Sequence, residues 1–250
     1  MTIHATLARR NTVLDGLDEI SLAALLPDLT DVPLPAGRVL HEPGRAITEV
    51  YFPLLGVVSV VADLGDDQIV ETATIGREGM VGLSVFLNSG VPTERSLVQV
   101  PGRALRMSAE ALREHIADVD GPLTEMLRRW AEALFSQVSR NAACNRVHTI
   151  RRRAARWLLS TADRMDSPSF ELTQHFLAQM LAVRRTSVSE VARSLAEDGC
   201  ITYTRGRITI TDRPRLEDHA CNCYEVIRRG TEETMTAGGP RLPAAPSCTG

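Results

Sequence analysis

Three rhythms of apolar and polar residues follow one another along the chain. Leu14, Leu17, Ile20, Leu25 and Leu26 fall at helical spacing and predict one short helix over 13–30. From Val32 to Met107 the rhythm shortens. β-Rich runs at 38–41, 49–52, 56–62, 69–75 and 96–100 are separated by turn signals at Pro35-Ala36-Gly37, Glu42-Pro43-Gly44, Gly65-Asp66-Asp67 and Pro101-Gly102. Short strands with regular turns predict a small antiparallel barrel or roll. Helical spacing then returns. Ser108 is a credible N-cap with Glu110 in the first turn, and after Gly121-Pro122 a long helix is expected to about Val147.

On that long helix Leu123, Leu127, Trp130, Leu134 and Val138 are spaced by four, three, four and four, close to a coiled-coil seam. Two readings are open: the stripe packs on its own domain, or it meets the same helix of a second copy. The Arg and Glu flanks favour the second, and with it a homodimer through these five residues. A further helix is expected over 150–165, with Ala154, Ala155, Trp157, Leu158 and Ala162 on its apolar side, ended by Ser167-Pro168. From Thr231 the chain is rich in Gly, Pro, Ala and Thr and reads as a disordered tail.

Residues 172–201 are the most informative stretch. Thr173 caps a first short helix whose apolar face is Leu177, Met180 and Leu181, with Ala178 small enough for a second helix to cross closely. A turn follows near Ala182 to Arg184. The second helix buries Val188, Val191, Ala192 and Leu195 and turns Arg185, Thr186, Ser189, Glu190 and Arg193 outward. Arginine can bond guanine bidentately, glutamate can accept from the cytosine amino group, and hydroxyls can meet phosphates or bases. Two short strands around Gly206 then form a β-hairpin wing, with Arg205 and Arg207 beside its tip. The candidate DNA-binding residues are thus Thr173, Gln174, Arg184, Arg185, Thr186, Ser187, Ser189, Glu190, Arg193, Arg205 and Arg207. An ordinary helical hairpin with a solvated face is the rival reading, and the wing argues against it.

Charge sharpens this picture. The chain carries a net −3, yet residues 140–215 hold fourteen Arg against seven acids, so a basic C-terminal half follows an acidic N-terminal one. Every basic side chain is Arg. No apolar run approaches a membrane span, and residues 1–11 lack an apolar signal core, which predicts a cytoplasmic protein with no membrane partner. Neither a phosphate-cradling glycine loop, nor a Gly-x-Ser-x-Gly elbow, nor a zinc motif is present, so an enzyme is not expected.

The sequence resembles the Crp/Fnr family of transcription regulators over roughly residues 15–225. Residues 172–201 are similar to that family's helix-turn-helix without a gap. Asn145-Arg146-Val147-His148 and 153–159 lead into it as they do in that family. The roll is similar to its cyclic-nucleotide-binding fold through 35–40, 42–44, 50–52 and 55–60. The resemblance implies an α+β chain with an N-terminal antiparallel, jelly-roll-like β-roll as sensor (1–120), a dimerisation helix (121–149), a winged helix-turn-helix (150–230) and a tail (231–250). It implies a homodimer on an inverted-repeat operator in double-stranded DNA, with RNA polymerase a partner if the protein activates.

In the family's cyclic-nucleotide binders, a Gly-Glu-Leu loop binds the ribose and an Arg-Ser or Arg-Thr pair binds the phosphate. The matching positions here are Gly82 and Leu83, then Arg95 and Ser96, with Val138 and Ser139 where two base-binding hydroxyls stand. Leu83 cannot accept from a ribose hydroxyl, and an unmet buried hydroxyl costs about 1–3 kcal/mol. Control by cAMP is therefore not expected. A different anionic effector at Gly82, Leu83, Arg95, Ser96 and Ser139, or no small ligand, stay open. No cofactor is expected. Five cysteines, none before Cys144, do not match the family's N-terminal iron–sulfur ligands. Cys221-Asn222-Cys223 alone offers two soft ligands, short of the usual four, so no metal site is expected.

Overall fold

The structure, a computed structural model, describes residues 4–65, 69–204 and 206–236. The single helix expected over 13–30 is instead divided. After α1 (Ala5–Ala8) come α2 (Thr12–Asp15), α3 (Glu19–Leu25) and a 3₁₀ turn at Leu26–Asp28. Two N-caps cause the break. Asn11 Oδ1 accepts from the Val13 and Leu14 amides, and Asp18 Oδ1 accepts from Ser21 N at 2.9 Å. Ile20 is left 85% exposed rather than on an apolar face. Asn11 is itself buried, and its Nδ2 donates to the carbonyls of Pro53 and Gly79, tying this segment to the roll.

The roll contains β1 (Thr30–Leu34), β2 (Val39–His41), β3 (Glu49–Asp63), β4 (Ile69–Ile75), α4 (Leu83–Phe86) and β5 (Arg95–Ser108). The strands form one antiparallel sheet in the order β1-β5-β3-β4, with β2 also on β5. The runs at 49–52 and 56–62 are a single strand, and Pro101-Gly102 lies inside β5 rather than at a turn. Ladder register shifts here, at Pro53/Leu55 and Leu55/Val57. Gly56 has φ +99°, and a β-carbon on Gly102 would sit 1.9 Å from the Leu55 carbonyl oxygen. The two glycines let both long strands bend at the same place, which folds the sheet over into a roll. β1, with Asp31 and Pro33, carried no strand signal. Of the expected turn at 65–67, only Gly65 lies within the described residues.

Ser108 caps α5 (Ala109–His115) as expected, accepting from Ala111 N at 3.0 Å. The long helix is α6 (Pro122–Val147). Its seam is not the one expected. Leu123, Leu127 and Trp130 are buried in the core of their own roll, and Trp130 Nε1 donates to the Met80 carbonyl at 3.0 Å. These three cannot face a partner helix, because the roll already covers them. Further along, Leu134 is half-buried, while Phe135 and Val138 are exposed at 74% and 37%.

The remaining elements are α7 (Ile150–Met165), β6 (Ser169–Glu171), α8 (Gln174–Met180), α9 (Arg185–Glu197), β7 (Ile201–Thr204), β8 (Arg207–Ile210), α10 (Arg213–His219) and α11 (Cys223–Met235). The expected disordered tail from 231 begins too early, since α11 continues to Met235; residues 237–250 lie outside the described residues. Among the described residues, no helix is long and apolar enough to cross a membrane.

α7 joins the two halves. Its Ala154, Trp157 and Leu158 share one core with Val57, Val61 and Val100 of the roll and with the helices and strands that follow. Polar ties reinforce the junction. Asn141 Nδ2 donates to Thr72 O, Gln137 Oε1 accepts from Thr74 N at 2.7 Å, and Arg164 Nε donates to Glu78 at 2.8 Å. At its centre Trp157 Nε1 donates to Glu71 Oε1 at 3.1 Å, and Ser59 Oγ donates to Glu71 Oε2 at 2.7 Å. Burial pushes the Glu71 carboxyl up to about 7, against the favourable bonds from Ser59 and Trp157.

A carboxyl raised in the folded state stabilises fully below its unfolded pKa, near 4.5, and that contribution is lost as pH rises through about 7. The loss amounts to at most about 3 kcal/mol. The melting temperature of the wild type should therefore fall between pH 5 and pH 8, and Glu71→Gln should flatten that slope. Parallel melting curves for the two proteins would disprove the linkage.

Candidate nucleic-acid interface

The helix-turn-helix is built from α8, a tight turn and α9. Thr173 Oγ1 accepts from Phe176 N at 3.1 Å and starts α8. The helix stops at Leu181, and Ala182 turns the chain with φ +51°. α9 packs Val188, Ala192 and Leu195 inward, while Val191 is half-buried. Ser189 Oγ donates to Gln174 Oε1 at 2.7 Å, which fixes one helix against the other. Arg151 holds the far end of α9 through bonds to Ser194 and Asp198.

This arrangement turns Arg184, Arg185, Thr186, Glu190 and Arg193 to solvent, with Ser187 half-buried. Among the described residues no side chain caps the start of α9, which leaves its first amides open to a phosphate. Thr173 is exposed and occupied as a cap. Gln174 and Ser189 are half-buried and bonded to each other, so their polar atoms serve the motif before they serve a base.

The wing is the β7–β8 hairpin, with Ile201 opposite Ile210 and Thr204 opposite Arg207. β6 adds a third strand on β8, an element the sequence had not signalled. Tyr203 Oη donates to the Leu172 carbonyl and ties the wing to the start of the motif. Gly206 has φ +80° at the tip. Arg207 is exposed and bonds Glu171 at 3.2 Å, whereas Arg205 lies outside the described residues. The turn of the motif also faces the roll: Ile69 and Val70 of β4 line a groove of about 540 Å³ with His175, Ala178, Ala182 and Arg185.

The residues expected to hold an effector are each engaged in the fold. Arg95 Nε is already paired with Glu42 Oε2 at 2.9 Å. Leu83 opens α4 and packs against the roll core. Gly82 has φ +105°, and a β-carbon there would come within 2.9 Å of Val50. Ser96 is buried in β5, opposite His41 and Val60. Ser139 is exposed and lines a groove with Val226 and Ile227, because α11 packs along that side of α6.

One constellation escaped the sequence reading. Cys144, His148, Cys221 and Cys223 converge, with all four donor atoms within 4.8 Å of one another. Cys144 and Cys221 share one hydrogen bond, which holds the Cys144 thiol well above the ordinary range and the Cys221 thiol well below it. The usable signal was Cys-x-x-x-His at the end of a predicted helix, read together with a distant Cys-x-Cys.

Comparison with known proteins agrees with this architecture. Residues 152–219 match the family model of the Crp-like helix-turn-helix domain. Over 219 residues the chain is 26% identical to the CRP-like cAMP-activated global transcriptional regulator of Mycobacterium tuberculosis, a match covering 84% of this chain and 97% of that protein. Its fold is similar to that of a transcriptional regulator of the Crp/Fnr family from Eubacterium rectale, with a TM-score of 0.64 at 18% identity over 84% of this chain and 98% of the other. It is likewise similar to FixK2 from Bradyrhizobium japonicum, with a TM-score of 0.65 at 17% identity over 77% and 98%.

The turn can be tested by itself. A β-carbon in the left-handed region costs about 1 kcal/mol, more than the chain entropy a glycine adds to the unfolded state. Ala182→Gly should therefore raise the denaturation midpoint, by an amount worth roughly 0.5 kcal/mol. A lower midpoint would mean that the turn is not strained.

Proposed function

We propose that this chain, a member of the Crp/Fnr family of DNA-binding transcription regulators, works as a cytoplasmic homodimer that reads an inverted repeat without control by cAMP. The observation that carries the reading is the outward face of α9, where Arg185, Glu190 and Arg193 stand exposed beside the Arg207 wing. Such a helix reads base edges in the major groove while the wing holds phosphates. Residues 1–120 serve as the sensor unit, 121–149 as the dimerisation helix and 150–230 as the DNA-binding unit, with α11 running past that last boundary.

Support for the dimer comes from the part of α6 the roll leaves uncovered. Phe135, Val138 and Ala142 follow at spacings of three and four on its outer side. Exposed phenylalanine on a long helix favours a partner. A dimer that reads an inverted repeat with its two copies of α9 needs them about 34 Å apart, one turn of DNA. Support for cAMP independence comes from Leu83 and from Arg95, whose charge Glu42 already meets.

Anisotropy titration on a selected operator tests the DNA and effector roles together. Arg185→Ala should lose about 1–3 kcal/mol and relax preference at one base pair per half-site. Arg207→Ala should weaken all sequences alike, and cAMP should shift wild-type affinity by less than about threefold, a coupling under roughly 0.7 kcal/mol. Equal sequence-independent losses from both variants would remove these roles, and a clear requirement for cAMP would overturn the effector reading.

Light scattering tests the dimer. The wild type should have twice the mass of one chain, and Phe135→Asp with Val138→Asp should halve it with an unchanged circular-dichroism spectrum, since both side chains are exposed. A monomeric wild type at micromolar concentration would refute the dimer.

A further inference from the structure

Two distant pieces of chain meet at the hinge between α6 and α7. Cys144 lies in the last turn of α6, and His148 caps that helix four residues later, so both side chains fall on one face. Cys221 and Cys223 flank Asn222, the residue that starts α11. Cys144 Sγ stands 3.5 Å from Cys221 Sγ, and Cys223 Sγ stands 3.7 Å from His148 Nδ1. The three cysteines are buried and the histidine is half-buried.

We propose that Cys144, His148, Cys221 and Cys223 form a mononuclear Cys₃His site that holds a zinc ion. Zinc bonds thiolate sulfur at about 2.3 Å and imidazole nitrogen at about 2.0–2.1 Å, so donors around one tetrahedral ion stand roughly 3.4–3.8 Å apart. The distances of 3.5 and 3.7 Å match that spacing before any rearrangement. An iron–sulfur cluster spreads its ligands around two or four irons, wider than four donors that all lie within 4.8 Å of one another. Three soft sulfurs and one imidazole also fit zinc better than calcium or magnesium, which take oxygen.

The charge around the cluster points the same way. Zinc with three thiolates and a neutral imidazole carries a net −1. Arg153 and Arg156, on the adjoining α7, are buried, and among the described residues their side chains bond neutral oxygens and no carboxylate. Arg156 donates to Asn141 Oδ1, Arg153 donates to the Leu181 carbonyl, and the Nε of each has no partner. Buried cations need an anion nearby. The metal-thiolate group supplies one, and it clasps α11 to the hinge that leads into the DNA-binding helices.

The test uses full-length protein without a histidine tag, purified without chelator, and measures metal by plasma mass spectrometry. About one zinc per chain is expected. Cys221→Ser with Cys223→Ser should lose it, while Cys248→Ser, which removes the cysteine outside the cluster and the described residues, should keep it. Should the double variant fail to fold, the wild type decides alone: cobalt(II) replacing zinc should give the intense ligand-field bands of a tetrahedral site and a thiolate-to-cobalt charge-transfer band. Metal-free wild type that binds neither ion at micromolar concentration would overturn the proposal. So would an octahedral cobalt spectrum, an iron–sulfur absorption, loss of metal in Cys248→Ser, or a Cys144–Cys221 disulfide in freshly isolated protein.

Discussion

The structure depends on how one helix shares out its circumference. α6 presents Leu123, Leu127 and Trp130 to the roll, Gln137 and Asn141 to the edge of β4, and Cys144 to the turn before α11. Each commitment removes a strip of surface from every other use. A helix of 26 residues repeats its faces every 3.6 positions, so what the roll buries cannot also form a seam with a partner. The apolar surface left over is short and lies near Phe135 and Val138.

The same economy governs the junction of the roll and the helix-turn-helix half. Glu71, Ser59 and Trp157 form a buried polar knot between β-roll and α7, beside the hydrophobic core that the two halves share. Buried polar groups that find partners fix one arrangement of the two halves, since sliding α7 along the roll would leave a carboxyl and an indole N–H unmet. Because α7 also carries α9, through the Arg151 bonds, the orientation of the reading helix is linked to that knot. The groove between β4 and the turn of the motif is lined by Ile69 and Val70 of the strand that also carries Glu71. The cysteine–histidine cluster sits at the other end of this lever, where α6 gives way to α7. A clasp there would limit how far the reading half can swing about Thr149, the cap of α7.

Legibility in the sequence varied with the range of the forces involved. The helix-turn-helix, the wing hairpin and the cap at Ser108 were readable because local spacing, caps and turn residues determine them. The breaks at Asn11 and Asp18 were missed although their signal was local, because an apolar rhythm outvoted two caps. Pro101-Gly102 reads as a turn and Gly56 as the start of a strand, because the close approach of two strands is a pairwise fact that neither strand carries alone.

By itself the sequence determined the α+β class, the succession of β-rich half, long helix and helix-turn-helix, and the arginine-bearing outer face of α9. Residue identity and short-range periodicity are enough for each of these. Only the tertiary structure decided which side of α6 was spent on the roll, that Arg95 was already paired with Glu42, and that cysteines 77 positions apart lie 3.5 Å from each other. Spacing along a chain records which residues share a face, but what that face meets depends on long-range packing, where burial of one strip forecloses another and brings remote side chains into a single shell.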